Sequence, residues 1–469
     1  MEIWDGENIM NVLQLEKVTI IEPGPLLSPV LNFRIFRNHS LQLKLETCTA
    51  TKPHSREHVG NPGNIYINDS TISLGGTDGG KGSISGITPL LERSDGSESI
   101  ETSAINYITY QTQDERNTTI TFEWLGNFPD GSFIWPTNTV TKNGEKVIFG
   151  DPPIRLKSHS TNYSLQRNGI RLSLGGYDVY VSSCDSRCET TETLFGSIMI
   201  VGAPADDTRD KIRNCISFAF GMPLISLGCS RFDERGDLVS LKAVNPSSLD
   251  GRAWRLFPLP SAPITVHGSN VLDPDAVEKL ANAAYEIYDT YNLRTIFWRY
   301  WHSAVAPMFM APAYYGAIIE SIQTKFLKIQ REKLDRGIIN RKSFRELRAI
   351  VNTATKDIVM SEECRKLFAT KLDDANRVPQ KIVTQRFFDA LQLEMGDHEL
   401  TAWARRNDAA HGKDVPNDDH ISLLRETRIL KIMLHRTLLK IMGGSETYID
   451  YNSPFYPKRP LNISSESGC

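Results

Sequence analysis

No apolar run in this sequence approaches the roughly 18 residues that a membrane helix needs, so no membrane partner is expected. Cysteine is sparse: the seven are Cys48, Cys184, Cys188, Cys215, Cys229, Cys364 and Cys469. An odd number at wide spacing suits reduced thiols, not a disulfide framework. Only Cys184 and Cys188 lie close together, and no second Cys/His pair stands at zinc spacing. No metal site is therefore assigned. The stretch Met1-Glu2-Ile3-Trp4-Asp5 is acidic and lacks the basic region of a signal peptide, which gives a cytoplasmic expectation. A working P-loop is missing too. Gly75-Gly76-Thr77-Asp78-Gly79-Gly80-Lys81-Gly82 comes near, but Gly82 stands where a Ser or Thr hydroxyl would reach magnesium, and no convincing helix follows. That stretch reads as a hairpin or loop, and no cofactor is expected.

What is present is the composition of a globular protein, 40% hydrophobic and 23% charged over 469 residues, enough for two or three domains. The formal net charge of -3 conceals an asymmetry. Residues 320–442 hold 24 Lys/Arg against 18 Asp/Glu, which leaves 29 against 38 elsewhere. A basic segment beside an acidic one is compatible with a nucleic-acid site toward the C-terminal end, and equally with solvated helix faces.

The chain changes character near residue 260. Before it, Leu41-Gln42-Leu43-Lys44-Leu45-Glu46 and Thr119-Ile120-Thr121-Phe122-Glu123-Trp124 alternate as half-buried strands do. Similar segments fall at 106–111, 179–181, 197–201 and 238–242. One helix is expected near 207–221, where Ile212, Cys215, Ile216 and Ala219 recur at helical spacing. Leu74-Gly75-Gly76 and Leu174-Gly175-Gly176 hint at a repeated strand-turn. Pro258, Pro260 and Pro263 then stiffen a connector, and Asp273-Pro274 gives an N-cap followed by proline at the first helical position. Helices are expected at 274–292, 312–335, 341–359, 362–374, 379–395, 398–411 and 420–442. The expected fold class is α+β: a β-rich N-terminal domain over 1–260, a linker over 261–273, and an all-α bundle over 274–469.

The most informative segment runs from Leu400 to Gly412. Leu400, Trp403 and Ala404 form an apolar stripe at i, i+3, i+4, and its next members are Asn407 and His411. Asn407 and His411 are i, i+4 neighbours, so the amide can fix the ring tautomer. Arg406 sits on the flank of the stripe and can grip a phosphate bidentately. Gly412 and Pro416 supply a helix stop. The bland alternative is a structural histidine satisfied by Asn407, with Arg406 in a surface ion pair.

Arg406-Asn407-x3-His411-Gly412 resembles the active-site motif of the HEPN superfamily. Gly443-Gly444-Ser445-Glu446-Thr447-Tyr448-Ile449-Asp450-Tyr451 resembles the tail that closes HEPN domains of ApeA-type abortive-infection proteins. Those bacterial proteins also carry a β-rich region ahead of the HEPN domain, and residues 213–237 are similar in flavour to theirs. The resemblance implies a HEPN helical bundle with metal-independent endoribonuclease activity on a structured RNA such as tRNA, in antiphage abortive infection. The RNA 2′-hydroxyl would attack phosphorus, His411 would transfer protons, Arg406 would stabilise the transition state and Asn407 would orient His411. The products would be a 2′,3′-cyclic phosphate and a 5′-hydroxyl. The resemblance also implies that the N-terminal domain answers a phage-derived trigger.

Three positions are weaker candidates. Arg405 and Arg428 could contact RNA; Arg428 shares a stripe with Ile432, His435, Leu439 and Met442, where a carboxylate partner is the commoner outcome. Glu320, on the small-residue face of Ala313, Gly316 and Ala317, could support the active site. The aromatic run from Phe297 to His302 could stack on bases, but reads better as a packed helix. The stripe through Trp403 needs a partner surface. This leads to a homodimer or higher even oligomer through the C-terminal helices, with two motifs sharing one cleft. The competing function is a non-catalytic HEPN scaffold whose β-rich domain binds a ligand or protein. A toxin paired with a nucleotidyltransferase antitoxin fits less well, because such toxins usually place a tyrosine shortly after the histidine, where Gly412-Lys413-Asp414-Val415 stands here.

Overall fold

The computed structural model describes residues 18–22, 30–38, 41–49, 71–77, 79–95, 98–113, 117–128, 138–140, 146–149, 154–157, 169–183, 195–246, 262–265, 272–330, 337–410 and 419–464. The arrangement is α+β, with a β-rich N-terminal part and a helical C-terminal part. The chain divides into two compact units, Met1–Glu286 and Ile287–Cys469. The division falls inside a helix, not at the proline-rich connector, most of which lies outside the described residues.

The first unit is built on a ten-stranded antiparallel sheet. Its spatial order is Val18–Glu22, Thr71–Gly76, Lys81–Ser85, Tyr107–Gln111, Leu238–Val244, Ser226–Phe232, Ile120–Leu125, Gly196–Val201, Tyr177–Ser183, Gly169–Leu174. The strand Leu238–Val244 shows why these segments pair. Val239, Leu241 and Ala243 are buried and the residues between them are not, so one face meets a core that also holds Ile84, Ile108 and Tyr110. A second core gathers Phe122, Trp124, Tyr180 and Phe195. A four-stranded sheet, Val30–Arg37, Leu43–Thr49, Glu98–Ala104 and Thr88–Asp95, adds Ile35, Leu43 and Leu45 to the first core. The glycine-rich stretch that is not a P-loop is a hairpin, closed by Gly76 N to Gly80 O at 2.8 Å. Gly175 and Gly176, at φ 59° and 83°, make a two-residue hairpin turn, whereas Gly75 and Gly76 end a strand. The two Gly-Gly pairs are therefore not one repeated turn.

Helix α1, Asp206–Phe220, ends on Gly221 in the left-handed conformation and buries Ile212, Cys215, Ile216 and Ala219, as their spacing requires. It holds to the sheet through Glu123, a carboxylate fully buried on a central strand and ion-paired with both Arg209 and Arg213. Burial alone would lower the Arg213 pKa, but Glu123 and then Asp210 drive it above its ordinary value. Breaking such a buried pair leaves an uncompensated charge. Helix α2, Pro274–Tyr291, is tied to the strand Gly169–Leu174: the Glu278 carboxylate accepts from Ser173 N at 2.7 Å, and Asn282 donates to Ser173 O at 2.6 Å.

The second unit packs α3, Leu293–Val305; α4, Ala311–Ile329; α8, Asp397–Ala410; and α9, His420–Met442. The aromatic run is indeed a packed helix on one side: Phe297, Tyr300 and Trp301 are buried, and Trp298 is exposed. Helix α7, Gln380–Ala390, buries Phe387 and Phe388. Between α4 and α7, α5 (Arg341–Ala354) and α6 (Glu362–Asp374) bury no residue; they are linked by Arg348 to Asp373 at 2.9 Å. After α9 the chain turns at Gly443 into a hairpin of Thr447–Ile449 and Lys458–Pro460. Arg436, fully buried, locks this tail down by donating to Leu461 O and Glu394 O while pairing with Glu399 at 3.2 Å.

Candidate functional site

Helix α8 presents Arg405 and Arg406 at its C-terminal end. Gly396 N donates to the Glu399 carboxylate at 2.9 Å, which stops the first turn fraying. The buried face of α8 is Glu399, Ala402, Trp403 and Arg406. This corrects the expected stripe of Leu400, Trp403 and Ala404, since Leu400 is only partly buried and Ala404 is exposed. The face is rotated because two of its members are charged and are neutralised from other helices: Glu399 by Arg436 on α9, and Arg406 by Glu320 on α4.

Arg406 is thus a core-facing residue, not a flank residue. Its Nη1 pairs with Glu320, and its guanidinium carbon lies 4.1 Å from the centre of the Trp403 ring. Gly316, one turn before Glu320 on α4, is its seat, because a Cβ there would collide with the Arg406 Cδ. Arg406 Nε and Trp403 Nε1 are buried and have no hydrogen-bond partner among the described residues. Arg406 as a whole is 8% exposed, so an RNA phosphate would meet an edge of the guanidinium and not its full fork. Trp403 is 1% exposed and is covered by its own unit, so its burial does not call for a symmetry mate.

Arg405 behaves differently from its neighbour. Its Nε donates to Glu426 at 2.5 Å and its Nη2 to Asp419 at 2.6 Å. The hydrogen bond to Glu426 comes first among the causes that raise its pKa, and the one from Arg405 does most to hold Asp419 below the usual carboxylate range. Arg405 therefore clamps the end of α8 to the start of α9, and its charge is spent on two carboxylates. Arg428 is exposed and forms no ion pair with a described residue, so the carboxylate partner expected for it is not among them. The side chain of Asn407 and the whole of His411 lie outside the described residues; His411 directly follows Ala410, the last residue of α8.

A second polar cluster sits deeper. His435 on α9 is fully buried, and its Nε2 bonds the Tyr300 hydroxyl at 2.8 Å. Burial, and then the charge of Lys431, bring the His435 pKa down to about 3, while burial and Arg428 bring Lys431 down to about 8. A histidine this strongly held neutral is a packing residue, not a proton shuttle at neutral pH. Glu320 is a candidate support for the active site by sequence, and the structure brings it onto Arg406 itself. The Gly316 seat and the pairing of Arg405 with Glu426 and Asp419 were not read from the sequence. The small-residue run Ala313, Gly316, Ala317 was the available signal for the first; nothing local signals the second. The chain matches no family model, no curated protein and no solved structure.

Proposed function

We propose that the helical unit is a HEPN-type, metal-independent endoribonuclease in which Arg406 and His411 carry RNA cleavage. One observation carries the reading: Arg406 is fixed by Glu320, Trp403 and Gly316 at the end of the helix that leads directly into His411. An arginine immobilised before substrate arrives pays less entropy on meeting a phosphorane-like transition state. In this reading the 2′-hydroxyl attacks the adjacent phosphorus, forming the O2′–P bond as the P–O5′ bond breaks. His411 handles the proton transfer, Asn407 orients its ring, and Glu320 positions Arg406. The products are a 2′,3′-cyclic phosphate and a 5′-hydroxyl. The substrate is a structured RNA such as tRNA in the cytoplasm, and the setting is antiphage abortive infection with a phage-derived trigger acting on the β-rich unit. One Arg and one His are few for this chemistry, so the reading includes an even homo-oligomer in which two motifs share a cleft. Because Trp403 is covered within one chain, the pairing surface is not the Trp403 face.

A second reading rests on the engagement of both arginines. With Arg406 on Glu320 and Arg405 on Glu426 and Asp419, the unit would serve as a non-catalytic helical scaffold for a ligand-binding β-rich unit. One experiment separates the two. RNA from cells expressing wild type or His411→Ala is sequenced at its 5′ ends, and the purified proteins are assayed on tRNA in EDTA. The nuclease reading expects cyclic-phosphate ends with wild type and none with the variant. Equal cleavage by a well-folded His411→Ala protein would falsify it.

A further inference from the structure

The ten-stranded sheet has one face that the nuclease reading leaves unused. The register sets two adjacent rows of side chains across five strands. One row is Lys81, Gln111, Ser240, Arg231 and Thr121; the other is Ser83, Thr109, Lys242, Cys229 and Glu123. Both rows are polar, while their neighbours on three of these strands, such as Ile84, Ile108 and Leu241, point into the core. At one end α1 covers the rows, where Arg209 and Arg213 pair with Glu123. At the other end the rows stay open and floor a cavity of about 380 Å³. Lys81, Ser83, Thr109, Arg231, Ser240 and Lys242 line it, together with Asp206 from α1.

Among the described residues the charges of this cavity do not balance. Asp206 faces three cations at once: Lys242 at 2.9 Å, Arg209 at 3.0 Å and Arg231 at 3.5 Å. Burial works against its charge, but those neighbours hold its pKa below the usual carboxylate range, so it stays ionised. Lys81 forms no ion pair with a described residue. Lining residues Lys81, Arg231 and Lys242 against Asp206 leave two positive charges in excess. Donors are also in excess: Arg231 spends Nη2 on Pro204 O at 3.3 Å, and its buried Nε has no hydrogen-bond partner among the described residues. Buried donors of this kind are normally satisfied. The first turn of α1 adds backbone N–H groups that no N-cap side chain satisfies.

We propose that this cavity binds a small phosphate monoester, of the size of a mononucleotide. The volume falls in the range for small ligands, roughly 300–1,000 Å³. A phosphate monoester carries about 1.5 to 2 negative charges at pH 7, which matches the surplus. Arg231 and Lys81 supply charge-assisted donors, and the hydroxyls of Ser83, Thr109 and Ser240 suit a ribose or a phosphate oxygen. Arg209 and Arg213, fixed on Glu123, hold α1 and hence Asp206 in place, so Lys242 stays paired with Asp206 without ligand. The site is independent of Arg406 and His411, and it gives the β-rich unit a ligand of its own.

The test is calorimetric titration of the full-length protein with adenosine 5′-monophosphate and, separately, with inorganic phosphate, at constant ionic strength. Wild type is expected to bind the nucleotide with a Kd of about 1 mM or tighter. Lys81→Gln and Arg231→Gln should each weaken it about tenfold, the loss expected for one charge-assisted contact. Lys81 is exposed, so its variant keeps the fold even if Arg231→Gln does not. Phosphate binding that falls in the same variants supports the site with the phosphoryl group as the recognised part. Nucleotide binding alone, equally sensitive to the variants, supports it with the nucleoside contributing. No heat from either probe, or binding that Lys81→Gln leaves unchanged, overturns the proposal.

Discussion

Glu320 on α4 and Arg406 on α8 form an ion pair, with the Trp403 ring beneath the guanidinium. The Arg406 side chain is 10% exposed and that of Glu320 is 36%, so the pair is screened from one side only. In the nuclease reading, Glu320 acts through Arg406. Glu320→Gln keeps a hydrogen-bond acceptor and the side-chain shape but removes the charge that fixes the guanidinium. It should lower kcat on RNA about tenfold with little change in KM, against a loss of roughly 100-fold or more for Arg406→Ala. Single-turnover cleavage, with circular dichroism to confirm folding, checks both. Equal kcat for Glu320→Gln and wild type would remove Glu320 from the site.

Gly316 gives an independent handle on the same arginine. Gly316→Ala sets a methyl where the Arg406 Cδ now lies. The expected cost is about 1–3 kcal/mol of stability from overpacking, together with loss of cleavage as Arg406 is pushed off Glu320. Chemical denaturation measures the first effect and the RNA assay the second. A variant that loses stability but cleaves normally would show that the position of Arg406 is not limiting.

The gross plan was legible in the sequence and the buried face of α8 was not. Strict alternation over 119–124 points to a strand, observed at Ile120–Leu125, but its half-buried reading does not hold: all six residues are buried, because α1 covers the face that alternation leaves to solvent. The strand expected at 238–242 runs over Leu238–Val244, and Asp273-Pro274 marks the start of Pro274–Tyr291. Helices Glu362–Asp374 and His420–Met442 run over the residues expected. On α8 an apolar stripe marks the buried face only if buried residues are apolar, and here not all of them are. Glu399 and Arg406 are buried because Arg436 and Glu320 meet them from other helices, and a partner more than thirty residues away leaves no local pattern. The polar rows of the large sheet were hidden for a similar reason. Lys81, Gln111, Ser240 and Arg231 become neighbours only once the register of four strands is known.

His435 makes a prediction about acid stability. An unfolded histidine takes up a proton near pH 6.5, whereas folded His435 does so only near pH 3. Between those values the unfolded chain binds the extra proton. The stability that neutral His435 contributes is therefore complete above about pH 6.5 and falls by about 1.4 kcal/mol for each unit below it, towards pH 3. His435→Gln can keep a hydrogen bond to Tyr300 without titrating. Its unfolding free energy should lose less than that of wild type between pH 6.5 and 5, where few carboxylates titrate. Parallel slopes for the two proteins would mean that His435 protonates in the folded state.

Arg405 and Arg428 are both candidate RNA contacts by sequence, and the structure separates them. Arg405 spends its donors on Glu426 and Asp419, and its side chain is 18% exposed. Arg428 is exposed on α9 and forms no ion pair with a described residue. A cation already neutralised by two carboxylates releases few counterions from RNA, while an unpaired one releases its full share. Arg405→Gln should therefore leave the salt dependence of RNA binding unchanged. It should lower Tm by roughly 2–4 °C, because Glu426, 9% exposed, loses its partner. Arg428→Gln should do the reverse, leaving Tm unchanged and reducing the slope of log K against log salt by about 0.7–1. Binding isotherms at three salt concentrations and a thermal melt of each variant decide it. If Arg405→Gln lowers the salt slope while Arg428→Gln does not, RNA displaces the Glu426 and Asp419 carboxylates, and the Arg405 clamp opens on binding.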